Sequence, residues 1–100
     1  MSVNRKMIQQ MQNRLEKIQT ELAQMEIEGT AGGGVVTARV SGQREFLGVK
    51  IDPSAVDPED VEMLEDLINA AIKDAMTKAS TTAEEKMSAL TGGMKIPGLM

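Results

Sequence analysis

Residues 27–52 read IEGTAGGGVVTARVSGQREFLGVKID. Within this stretch Val36, Ala38 and Val40 alternate with Thr37 and Arg39. A period of two places one set on an apolar face and the other on a polar face of a strand. Gly32-Gly33-Gly34 breaks the chain before it and permits a turn with positive φ, which a residue carrying a Cβ resists. Gly42-Gln43 marks a second turn. The pattern therefore predicts three strands, over residues 25–31, 35–41 and 44–51. In the third, Leu47, Val49 and Ile51 alternate with Phe46, Gly48 and Lys50. Connections this short favour an antiparallel meander with one apolar face.

Both flanks are helical in period. Upstream, Val3, Met7, Met11, Leu15, Ile18, Leu22 and Met25 recur every three or four residues. That spacing draws an apolar stripe along a helix over residues 3–26, with Ser2 or Asn4 as its cap. Downstream, Asp52-Pro53 ends the sheet, and Asp57-Pro58-Glu59-Asp60 reads as a helix start, with Asp57 as N-cap and Pro58 at the first helical position. From Val61 through Leu64, Leu67, Ile68, Ala71, Ile72, Ala75, Met76 and Ala79 the helical rhythm is strong. It weakens after Ser80-Thr81-Thr82, where helix propensity drops, and Gly92-Gly93 stops it. The expected order is α-β-β-β-α, an α+β class. A single domain spans residues 1–91, and a short tail covers residues 92–100.

A chain of 100 residues cannot cover two such stripes by itself. Phe46 is the only aromatic residue, so an aliphatic, Met-rich core is expected. The absence of Cys and His removes thiolate chemistry, the usual general base and the commonest metal ligand. An enzyme, a cofactor and a metal site are therefore not expected. No apolar run approaches the roughly 18 residues of a membrane span, and the N-terminus has no continuous apolar segment of signal-peptide type. A cytoplasmic location is the expectation.

The net charge of −4 hides a strong asymmetry. Residues 1–20 hold Arg5, Lys6, Arg14 and Lys17 against Glu16, a balance of +3. Residues 52–66 hold seven acids and no base. Lys6, Gln10, Asn13 and Lys17 are spaced four, three and four, so they share a helix face, with Arg14 beside it and Arg5 near its start. Ammonium, guanidinium and amide donors in a row suit phosphate oxygens and groove edges; an ordinary solvated helix face has the same composition. Gly32-Gly33-Gly34 lacks the Lys-Ser/Thr and the following helix of a phosphate-binding loop, so it reads as a strand connection. Glu59, Glu62 and Asp66 read as a solvated acidic face near a helix N-terminus.

Several stretches together resemble the YbaB/EbfC family of bacterial nucleoid-associated proteins. They are Glu28-Gly29-Thr30-Ala31-Gly32-Gly33-Gly34-Val35-Val36, Val49-Lys50-Ile51-Asp52-Pro53, Glu62-Met63-Leu64-Glu65-Asp66-Leu67, Ala70-Ala71 and Thr91-Gly92-Gly93 followed by Pro97-Gly98-Leu99. The resemblance implies an α-β-β-β-α subunit, a tweezer-like homodimer and binding of double-stranded DNA in the nucleoid with modest sequence preference. It carries no catalytic residues over. The expected DNA-binding residues, taken from charge and spacing, are Arg5, Lys6, Gln10, Asn13, Arg14 and Lys17. With one Phe and no Trp or Tyr, stacking on unpaired bases has little support, which favours duplex over single strands. The rival reading is a chaperone-like or assembly-factor clamp that grips other proteins through its long helices. Neither reading expects a membrane or a small-molecule substrate as partner.

Overall fold

The structure, a computed structural model, describes residues 5–90. The order is α1 (Arg5–Gln24), β1 (Glu26–Ala31), β2 (Val36–Ser41), β3 (Phe46–Ile51) and α2 (Val61–Leu90). The strands form one antiparallel sheet in the order β1-β2-β3. The glycine run between β1 and β2 is a short turn in which Gly32, Gly33 and Gly34 all have positive φ, as the sequence predicts.

Register decides which face is apolar. Ile27 lies opposite Val40, Gly29 opposite Ala38 and Ala31 opposite Val36. On that face α2 lies across the sheet. Val36, Ala38 and Val40 are fully buried against Ala71, Ala75 and Ala79, three residues spaced by one helical turn. Leu64, Leu67, Ile68, Ile72 and Met76 flank this seam, half-buried. The seam is narrow because of Gly29. A Cβ placed there would overlap Ala75 N and Ala71 O, and would lie 2.7 Å from Ala75 Cα. Helix backbone thus sits directly on strand backbone.

The close approach overturns one expectation. The buried core is built of Val and Ala with Leu22, not of methionine. Met7, Met11, Met63 and Met87 are exposed, because a seam this thin has no room for long side chains. The third strand also departs from simple alternation. A β-bulge between Arg39 and Val40 brings Phe46 opposite Val40, while Val49 remains opposite Ala38 and Ile51 opposite Val36. An extra residue in the strand shifts the facing pattern by one. Phe46 therefore joins Val49 and Ile51 on the α2 side of the sheet, where it stays exposed at the edge.

The second helix begins later than the sequence predicts. The Asp57 carboxylate accepts from Glu59 N (2.9 Å) and its carbonyl from Asp60 N (2.9 Å), which makes a turn instead of a helix start. Asp60 is the N-cap: its side chain accepts from Met63 N at 3.2 Å. Ser80-Thr81-Thr82 does not interrupt α2; the Thr81 hydroxyl donates to Thr77 O, one turn back. At 30 residues α2 is about 45 Å long. The predicted caps Ser2 and Asn4, the Gly92-Gly93 stop and the tail lie outside the described residues. The molecule is extended, 68 × 27 × 16 Å, with a radius of gyration of 18.7 Å against about 13 Å for a compact chain of this length.

Asp74 fastens α2 to the sheet edge. Its carboxylate accepts from Thr30 N at 3.0 Å and pairs with Lys78 at 3.1 Å, and Lys78 also donates to Glu28 O. The Thr30 N–H, then Lys78, hold the Asp74 carboxyl below its ordinary value of 3.8. A depressed carboxyl stabilises the fold above its unfolded value, and the contribution disappears as pH falls through the folded one. Asp74→Asn should therefore destabilise the protein at neutral pH, and the deficit relative to the parent should shrink as melts are taken below about pH 4.

Gly29→Ala should cost about 3 kcal/mol or more, because the clash is with backbone that cannot rotate away. Gly33→Ala meets nothing within 4 Å and should cost only the roughly 1–2 kcal/mol of a positive φ. Equal losses in urea titrations of the two variants would contradict the close-packing account.

Candidate nucleic-acid interface

The first helix is anchored near its C-terminal end. Gly42 N and Met25 N both donate to Leu22 O, at 2.8 and 3.2 Å. The Gln43 side-chain amide donates to Gln19 O and Oε1 at 3.0 and 3.1 Å. The turn that presents these groups is organised by buried Ser41, whose hydroxyl accepts from Gln43 N and Glu45 N. Arg44 completes it in the left-handed region at φ 65°. Among the described residues of α1 only Leu22 is buried. From Lys17 back to Arg5 every residue is exposed, so the helix projects from the sheet as an arm.

Arg5, Lys6, Gln10, Asn13, Arg14 and Lys17 all lie on this arm. At about 100° per residue, Lys6, Gln10, Asn13 and Lys17 fall within an arc of roughly 60°, and Lys6 to Lys17 spans about 16 Å. Arg14 stands about 60° round toward α2. Arg5 lies about 100° from Lys6 in the other direction, so the helix does not bring it into the row.

A further cation was not singled out in the sequence. Lys86 of α2 reaches across to Glu21 of α1, Nζ to Oε2 3.1 Å. Together with Arg14, Lys17 and Ile18, and with Ala89 and Leu90, these two line an open cleft of about 270 Å³ between the helices. The sequence did hold a signal. Ile72, Ala79 and Lys86 are spaced by seven, so Lys86 occupies a position on the inward stripe of α2 where an apolar residue is expected. The helices run antiparallel here: Gln19 and Leu22 border a second cleft with Ser80 and Ala83, while Arg14 lies nearer Leu90.

Seven of the acids sit elsewhere. Asp52, Asp57, Glu59, Asp60, Glu62, Glu65 and Asp66 are exposed around the start of α2. Asp52 accepts from Ser54 N at 2.9 Å, and that N–H holds its carboxyl below the ordinary value. Glu62 and Lys86 are 24 residues apart on α2, about 36 Å, several Debye lengths in physiological salt. That acidic end therefore barely screens Lys86, whose nearer acids are Glu21 across the cleft and Glu84 and Glu85 beside it in sequence. Among the described residues, no group of three or more acidic side chains is placed to hold a metal ion.

Two long helices on a three-stranded meander, one of them a projecting arm with a basic row, define a small α+β protein. The chain belongs to the YbaB/EbfC DNA-binding family, whose sequence profile matches residues 1–94. A protein of Alkaliphilus metalliredigens named nucleoid-associated protein is 50% identical over 94 residues, covering 94% of this chain and 82% of that one. A nucleoid-associated protein of Chloroflexus aurantiacus is 54% identical over 89 residues, 89% of each chain. Among solved structures, an uncharacterized protein of Helicobacter pylori shares the fold with a TM-score of 0.62 at 21% identity, over 89% of this chain and 99% of that one.

The Glu21–Lys86 pair is partly exposed, with side-chain accessibilities of 44% and 32%. A double-mutant cycle of Glu21→Gln and Lys86→Met should give a coupling of about 0.2–1 kcal/mol that falls as salt rises. A coupling of several kcal/mol, insensitive to salt, would show that the pair is a core element of the fold instead.

Proposed function

We propose that this protein is a non-enzymatic, nucleoid-associated protein of the bacterial cytoplasm that binds double-stranded DNA as a homodimer, mainly through phosphates. The observation that carries the reading is the exposed basic row on an arm of a chain from a DNA-binding family. Relatives at about half identity bear the name nucleoid-associated protein, which supports the location. None of the described helices is long and apolar enough to cross a membrane.

Homodimerisation is supported by the surface. Met7, Ile8, Met11 and Leu15 on α1, and Phe46, Leu47 and Val49 on the edge strand β3, are exposed together with Val56, Val61 and Met63. So much apolar surface on a chain of this size calls for a partner, and an edge strand with free backbone groups calls for pairing or cover. A dimer offers eight cations from Arg5, Lys6, Arg14 and Lys17. Neutralising about six phosphates already lowers affinity by roughly a thousandfold between 50 and 200 mM salt. The acidic start of α2 repels the duplex and confines it to the arms. Effects on nucleoid organisation and gene expression follow from such binding. The exposed Met7, Ile8 and Met11 stripe favours the second reading, a clamp on other proteins.

Light scattering should give twice 10.8 kDa at micromolar concentration. Lys6→Glu with Lys17→Glu should weaken binding to every duplex alike, leave the mass unchanged, and flatten the slope of log K against log salt by about one unit per lost contact. Unchanged affinity in a folded double mutant would remove the arm from the interface. Suppression of aggregation of an unfolded client, with no duplex binding, would establish the clamp.

A further inference from the structure

We propose that the cleft between α1 and α2 is a phosphate clasp in which Glu21 competes with the DNA backbone for Lys86, so that Glu21 sets how tightly a duplex is held. The proposal rests on the duplex-binding reading and adds a residue that opposes binding.

The charge count in the cleft is uneven. Arg14, Lys17 and Lys86 converge on it, and Glu21 is the only acid among its lining residues. Glu21 is committed to Lys86 at 3.1 Å. Arg14 and Lys17 make no ion pair or hydrogen bond among the described residues. Arg14 and Lys17 therefore border an open cleft whose one acid is already paired with Lys86. An anion with several acceptor oxygens suits this arrangement, and a backbone phosphate is the one a duplex-binding arm encounters.

Lys86 is placed to change partners. It follows Ala79 on the inward stripe of α2, so its stem packs between the helices while its ammonium reaches the cleft. As a flexible point charge it turns from one oxygen to another without a fixed fork geometry. The Glu21 bridge is half exposed and weak, so a phosphate flanked by Arg14 and Lys17 displaces it readily. While bridged, Glu21 lowers the effective charge of the cleft from three to two and repels an incoming phosphate. Lys86 also brings the second helix into contact with the same phosphate as the first. Binding then draws α1 and α2 together across the cleft.

Duplex binding should be titrated between about 50 and 200 mM salt for the full-length chain and for Glu21→Gln, Lys86→Met, the pair combined, and Lys86→Arg. Lys86→Met keeps the apolar stem and removes the charge; circular dichroism and light scattering check that each variant is folded and of parental mass. Glu21→Gln should tighten binding about two- to fivefold, the range of a half-exposed ion pair. Lys86→Met should weaken binding on every sequence and flatten the salt slope by about one unit, and Lys86→Arg should restore both. The gain from Glu21→Gln should be smaller in the Lys86→Met background. Equal gains in the two backgrounds would overturn the competition for Lys86. Unchanged binding in Glu21→Gln and Lys86→Met, alongside weakening by Lys6→Glu with Lys17→Glu, would overturn the clasp and leave the arm reading standing. No duplex binding by the parental protein would overturn both.

Discussion

The structure depends on the contact of Gly29 with the backbone of Ala71 and Ala75. A helix that rests on a strand without an intervening side chain is held at a fixed height and angle, and the neighbouring positions must then be small. Ala38 beneath and Ala79 beyond follow from that height. The cost is a thin core. Burying Val and Ala removes far less apolar area from water than burying Leu, Met or Phe. The large apolar residues are pushed to the rim of α2, to β3 and along α1. The same contact that defines the core therefore leaves large apolar side chains on the surface.

Charge is separated by the same architecture. Because α2 runs about 45 Å as one helix, its acidic start and its Lys86 end answer to different surroundings. The arm meets α2 near Lys86, since Gly42 and Gln43 hold it at Gln19 and Leu22. Net charge is a poor guide to such a molecule: a chain of −4 overall carries a local surplus of cations wherever α1 is exposed.

Most of the fold was legible in the sequence because its signals are local. Period two over residues 36–40, glycines at 32–34 and a rhythm of three and four from Val61 each act within a few residues. What was missed is decided across the chain. The β-bulge at Arg39 and Val40 reverses the side of Phe46, and pairing energy between strands chooses it. The later start of α2 reflects two aspartates competing to cap, and Asp60 prevails while Asp57 closes a turn. The methionine core failed because Gly29 sets the spacing of helix and sheet, which periodicity does not encode. For the interface, the row on α1 was visible as spacing. Lys86 was not, because its meaning depends on α1 lying antiparallel beside it 65 residues away in sequence.

The anchoring of α1 near Leu22 makes the arm a lever. Arg5 is 17 residues from Leu22, about 25 Å along the axis. A rotation of about 10° at the anchor carries the far end of the arm through roughly 4 Å, while the helix–sheet seam, which lies on the other side of the pivot, is untouched. Lys17, close to the pivot, moves through only about 1 Å for the same rotation. The reach of the molecule and the integrity of its core are thereby governed by separate parts.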